Sequence, residues 1–144
     1  MSGTERGGSE LHTKSEPVEL SIPVRSDLIL LARLTAATVA SRAGFDVEEV
    51  DDLRLAVDEL CVLVADGGNA GRLQLSFVDT GNAVEVICTL DGAQPQQGER
   101  TDEYGERELS VRILDALVDE HGEEFDGERR RGWLRKGNVR SGRS

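Results

Sequence analysis

Basic side chains are scarce in this chain of 144 residues: 17 Lys and Arg stand against 28 Asp and Glu, a net charge of −11. Seven of the basic residues (Arg129, Arg130, Arg131, Arg135, Lys136, Arg140, Arg143) lie in residues 129–144, which hold no acid. Taking those seven positive charges from the net of −11 leaves −18 on residues 1–128. A body this acidic does not hold nucleic acid phosphates, because that binding needs clustered Lys and Arg. It suits a basic protein partner, or it serves solubility alone. The basic end reads as a separate tail. It carries no interleaved aromatics beyond Trp133 and no RNA-binding motif, and Trp133 is read as a core residue of the last strand.

Cysteine and histidine are equally thin. Cys61 and Cys88 lack CxxC spacing and read as buried small hydrophobes, with a redox pair as the alternative. His12 and His121 form no ligand cluster, which argues against structural zinc. No apolar run nears the roughly 20 residues that cross a bilayer. Residues 1–17 are rich in Gly, Ser and Glu and lack an apolar signal core, so a disordered lead-in and a cytoplasmic protein are expected.

What is present is periodicity. Val18, Leu20 and Ile22 alternate with polar residues and predict a strand ended by Pro23. Ser26 is the expected N-cap of a helix reaching about Ala43, with Leu28, Leu31, Leu34 and Val39 as apolar positions and Gly44 as the stop. Asp46 with Glu49 three residues on has capping-box spacing and opens a second helix. Val50, Leu53, Val57, Leu60, Cys61 and Val64 form its apolar stripe. Alternation at Leu73–Phe77 and Val84–Leu90 around Asp79-Thr80-Gly81-Asn82 predicts an antiparallel hairpin. Residues 91–107 are polar and read as a long functional or disordered loop. A third helix follows, with Leu109, Ile113, Ala116 and Leu117 on one face, Val111, Leu114 and Val118 beside it, and His121-Gly122 at its close. Phe125 and Trp133-Leu134 fall in two last strands around Asp126-Gly127. The order β-α-α-β-β-α-β-β predicts an α+β two-layer sandwich, its mostly antiparallel sheet covered on one face by three helices.

The run Asp-Asp-Leu-Arg-Leu-Ala-Val-Asp-Glu-Leu-Cys-Val-Leu, Asp51 to Leu63, resembles the N-box helix of the GHKL superfamily, the histidine kinase-like ATPases. It is most similar to the small bacterial branch of RsbW-type anti-sigma factors. Leu109 to Asp119 resembles that branch's helix after the ATP lid, and the long loop falls where the lid belongs. The resemblance divides the chain into a disordered segment 1–17, a GHKL-like domain 18–137 with a lid-like loop 91–107, and a basic disordered tail 138–144. It implies a partner-switching regulator of transcription that binds a sigma factor and a competing STAS-type anti-anti-sigma protein. Many such proteins phosphorylate a serine of that competitor using ATP and magnesium. Homodimers are common among them, and direct nucleic acid or membrane binding is not expected.

The resemblance also sets four requirements for the nucleotide site. The N-box glutamate that acts as base corresponds to Glu59. The magnesium-binding asparagine, one helical turn on, corresponds to Leu63, whose side chain has no lone pair for a hard cation; no metal ligand is expected there. The adenine-binding Asp-x-Gly corresponds to Leu90-Asp91-Gly92, which puts Leu90 at the aspartate and Asp91 one residue off, on the other face of a strand. The glycine-rich lid enters the third helix through Gly105-Glu106-Arg107-Glu108-Leu109, where Glu106 and Glu108 repel phosphate. The candidate residues are thus Glu59, as a working or vestigial base, and Asp91, Gly92 and Gly105 toward a nucleotide. The expectation is a regulator without a working cofactor; the alternative is an active serine kinase using ATP and magnesium.

Overall fold

The computed structural model describes residues 16–92, 105–125 and 129–138. Its elements are β1 (Val18–Pro23), α1 (Ser26–Arg42), α2 (Val47–Ala65), β2 (Arg72–Asp79), β3 (Ala83–Asp91), α3 (Glu106–Leu117), β4 (Glu120–Phe125) and β5 (Arg130–Gly137). The five strands form one antiparallel sheet in the order β1-β2-β3-β5-β4. The expected α+β sandwich with three helices on an antiparallel sheet is the architecture observed.

Helix α2 is the spine. Its start is fixed twice over: Glu49 N–H donates to Asp46 Oδ1, and Asp46 N–H donates to Glu49 Oε1, each at 2.8 Å. This satisfies two of the donors that a helix start leaves open. Leu53, Ala56, Val57, Leu60, Cys61 and Val64 are fully buried against the sheet. Gly132 of β5 lies beneath this face. A Cβ there would sit 2.8 Å from both Leu60 Cδ1 and Val64 Cγ2, so only glycine lets the helix approach the strand this closely.

Helix α1 departs from the expected pattern. The residue at its N-cap is Arg25, extended and without a side-chain cap; Ser26 already belongs to the helix. Asp27 in the first turn accepts two hydrogen bonds from the Arg25 guanidinium, which holds its carboxyl below the usual range. The buried face is Ile29, Ala32, Ala36, Val39 and Ala40, while Leu30, Leu31 and Leu34 are exposed. Alanines bring the backbone close to its neighbours, and that displaces the leucines outward.

Helix α3 is likewise rotated from its expected face. Ser110 and Leu114 are buried, and Leu109 is exposed. It ends at Leu117, so His121 lies in β4, where its Nε2 meets Asp115 Oδ1 at 2.7 Å. The buried Lys136 Nζ donates to Leu117 O at 2.9 Å, closing the carbonyl end of α3.

Two readings of the basic end change. Leu134 is buried under the helices, so Trp133, its neighbour on a strand, faces the other side of the sheet. There the indole lies against Gly122 of β4, 2.9 Å from where a Cβ would be. The basic residues are also no free tail. Arg130–Lys136 are strand residues, and five cations meet carboxylates: Arg129–Asp91, Arg130–Asp66, Arg131–Glu124, Arg135–Glu85 and Lys136–Asp52. Asp91, Glu85 and Glu124 lie on the strands that flank β5, and Asp52 and Asp66 lie on α2 and at its C-cap, so seating β5 in the sheet beneath α2 pairs the charges. Arg140 and Arg143, the tail 138–144 beyond Asn138, most of the lead-in 1–17 and residues 93–104 of the lid-like loop lie outside the described residues.

Candidate functional site

The face of α2 turned away from the sheet meets α3. Glu59 and Leu63 are four residues apart and so stand one turn apart on the same side. Glu59 is half-buried, and its Oε1 accepts a hydrogen bond from Ser110 Oγ of α3 at 2.7 Å. Leu63 is only 3% exposed and joins the apolar core. The carboxylate is therefore engaged by a neighbouring helix, and the position one turn on is apolar.

Below them the helix ends on Asp66, which has left-handed backbone (φ 52°). This is a costly conformation for a residue other than glycine, though Asp and Asn tolerate it best. Asp66 sits at the centre of a chain of alternating charges. Arg107, in the first turn of α3, donates from Nη1 to Asp66 Oδ1 at 3.0 Å and to the Leu63 carbonyl at 3.4 Å. Its Nη2 donates to both oxygens of Glu123 in β4, at 2.8 Å to Oε2. Arg130 of β5 donates to Asp66 Oδ2 at 3.3 Å and lies over the Phe125 ring, 5.4 Å from its centroid. Four elements (α2, α3, β4 and β5) are thus tied through Glu123, Arg107, Asp66 and Arg130. Reading along the sequence missed this cluster, because Arg107 is 41 residues from Asp66 and 16 from Glu123. Its only sequence signal was an arginine between the acids at 106 and 108.

The remaining candidates fall elsewhere. Leu90 packs on the core beneath the helices, and Asp91, the next residue on β3, takes the opposite face. There Asp91 pairs with Arg129 at 3.6 Å. Gly92 follows with φ 80° and turns the chain out of β3. Gly105 stands at the N-cap of α3 with φ 67° and no side-chain cap. The structure brings Glu59 to Ser110 and Arg107 to Asp66. It does not bring Asp91 to the α2–α3 seam.

A magnesium ion takes a near-octahedral shell of oxygen ligands, usually from carboxylates and phosphates together. The α2 face offers one carboxylate, already bonded to Ser110, followed by a leucine. Among the described residues no group of three or more His, Cys, Asp and Glu is placed to hold a metal ion. On α2, Glu59 is thus the one side-chain oxygen donor of the pair, and Leu63 supplies none. At the start of α3 the Arg107 guanidinium is held by two carboxylates, and Glu106 and Glu108 add negative charge in the same turn.

The two cysteines meet in the core, Cys61 on α2 and Cys88 on β3, both fully buried. Contact with the Cys61 thiol, together with burial, pushes the Cys88 thiol well above its ordinary value. A thiol held protonated is a poor nucleophile, so the pair behaves as packing.

The sequence model of the histidine kinase-like ATPase domain matches residues 22–136. Three curated relatives carry the name serine-protein kinase RsbW. That of Halalkalibacterium halodurans is 25% identical over 123 residues, covering 72% of this chain and 73% of its own. That of Bacillus licheniformis is 26% identical, covering 72% and 74%. That of Bacillus velezensis is 27% identical, covering 76% and 79%. The match runs from the end of β1 into β5, including the helix that bears Glu59 and the helix that bears Arg107. On that match and the fold that accompanies it, this chain belongs to the histidine kinase-like ATPase domain family, in its RsbW-type branch.

Proposed function

We propose that the protein is a partner-switching regulator of transcription that works by protein contacts, binding a sigma factor, a STAS-type anti-anti-sigma protein, or both, with nucleotide binding weakened or lost. One observation carries the second half of this reading. On α2, Glu59 is bonded to Ser110 and the position one turn on is the buried Leu63, so the helix offers no oxygen pair for a metal-bound triphosphate. The first half is supported by family membership and by Leu30, Leu31 and Leu34, an apolar group on α1 that is exposed among the described residues. The working unit is residues 18–137, with a lid-like loop at 91–107, and residues 138–144 contribute a basic extension. The protein acts in the cytoplasm, without direct contact to nucleic acid or membrane, as a monomer or a homodimer. No helix of the described residues is long and apolar enough to cross a membrane.

The test is pairwise. The full chain is mixed with each sigma factor and each STAS protein of its organism, and stable complexes are scored by co-purification. Titration calorimetry with ATP and magnesium runs alongside. A complex in either set together with no heat from ATP supports the reading. Failure to associate with any of them overturns it.

Serine kinase activity on a STAS partner is the second reading. It is favoured by Glu59 standing at the place of the family's base, and by the relatives' names. In that case Glu59 polarises the serine hydroxyl, and Asp91, Gly92 and Gly105 contact the nucleotide. Phosphate transfer from ATP to a STAS protein, abolished in Glu59→Ala, establishes it. Absence of binding at millimolar ATP and magnesium removes it.

A further inference from the structure

A cleft of about 500 Å³ opens at the far edge of the sheet from α3, under the C-terminal half of α1. Its origin is a mismatch in strand length. β1 begins at Val18, opposite Phe77, so Val78 and Asp79 of β2 run on without a β1 partner. Helix α1 overhangs the notch that this leaves. The floor is apolar: Phe77 and Val39 are 1% and 6% exposed, and Val18 forms one wall. The volume lies in the range of small-molecule pockets, roughly 300–1,000 Å³.

The polar groups around the floor are mostly acceptors. Thr35 and Thr38 have already donated their hydroxyl protons, to Leu31 O at 2.8 Å and Leu34 O at 3.0 Å, so each presents lone pairs. Asp79 is held in place by Gly81 N–H on Oδ1 at 2.9 Å, which leaves Oδ2 for another donor. Glu16 adds a second carboxylate at the rim. One positive group opposes these, Arg42, an exposed side chain in the last turn of α1 whose long stem reaches water.

We infer that this cleft is a binding site for a small amphipathic amine: an apolar or aromatic body seated on Val39 and Phe77, with an ammonium group donating to Asp79 and the threonine oxygens. The site is separate from the α2–α3 seam and does not depend on whether the seam binds nucleotide.

Three compounds sharing one indole body separate the charge from the body: tryptamine, the alcohol tryptophol and the carboxylate indolepropionate. Each is titrated into the full chain by calorimetry, with amide and methyl NMR shifts locating the contact. Tryptamine is expected to bind with Kd below millimolar and to shift Val39, Thr38 and Asp79. Tryptophol is expected to bind about tenfold more weakly, and indolepropionate more weakly still. Asp79→Asn keeps the acceptor for Gly81 and is expected to weaken tryptamine about tenfold while leaving tryptophol unchanged. Thr38→Trp, on an exposed helix position that does not threaten folding, is expected to close the mouth and abolish binding of all three. Indolepropionate binding as tightly as tryptamine, shifts located elsewhere, affinity untouched by Thr38→Trp, or no binding by any of the three overturns the inference.

Discussion

Helix α2 has two long faces, and they are built differently. The face on the sheet is apolar and closed: Leu60 and Val64 straddle Gly132, and Cys61 lies on Cys88. The face toward α3 is polar and bridged: Glu59 to Ser110, and then Arg107, Asp66, Glu123 and Arg130 in alternating charge. Nondirectional burial fixes the first, so it tolerates no change of volume. Directional contacts between partly exposed groups fix the second, and these can be rewritten one residue at a time at small cost. A fold held by the first face can therefore persist while residues on the second change.

The contrast is broken most severely by Leu60→Ala. Loss of a fully buried leucine above Gly132 is expected to cost about 2–5 kcal/mol in urea unfolding. Gly132→Ala should follow, at about 1–3 kcal/mol, because the new methyl meets Leu60 and Val64 at 2.8 Å. Both losses should be insensitive to salt. Arg107→Ala tests the other face. Its side chain is 30% exposed, so screening discounts the pairs, and a loss of about 0.5–1.5 kcal/mol is expected. That loss should shrink at high salt, and amide exchange should rise in the first turn of α3. A salt-independent loss as large as that of Leu60→Ala would erase the distinction between the faces.

The smallest effect is on the thiols. With its folded value raised, Cys88 contributes stability that is fully present below its ordinary value of 9.0 and is lost as pH rises beyond it toward the folded value. At pH 8 both thiols should react with a disulfide reagent only at the rate of unfolding. A fast-reacting thiol in the native protein would show that the sheet-side face opens locally.

Much of this was legible along the chain. The Asp46–Glu49 box, the stripe on α2 and the turn at Asp79–Asn82 are local, and each is written within a few residues. The position of β5 between β3 and β4 was not, because strand order depends on pairings many residues apart. The same limit misread the basic end. Arg129, Arg130, Arg131, Arg135 and Lys136 look like a tail in one dimension and become one side of five ion pairs once β5 is seated. Helix α1 failed for another reason. A periodicity that counts leucines overlooks Ala32, Ala36 and Ala40, which are buried because they are small. At the site, the resemblance alone marks Leu63 as the position of the family's metal-binding asparagine, and the structure shows that side chain buried. The Ser110 hydroxyl on Glu59 and the guanidinium on Asp66 had no sequence signature.

The indole of Trp133, flat against Gly122, has a practical consequence. It is the chain's sole tryptophan, and it rests on the outermost strand rather than in the core. Its emission therefore serves as an optical gauge of whether β4 stays docked, and β4 is the strand that supplies Glu123 to Arg107. A red shift that precedes loss of far-ultraviolet ellipticity would mean that the edge strand peels away first, carrying half of the arginine's support with it.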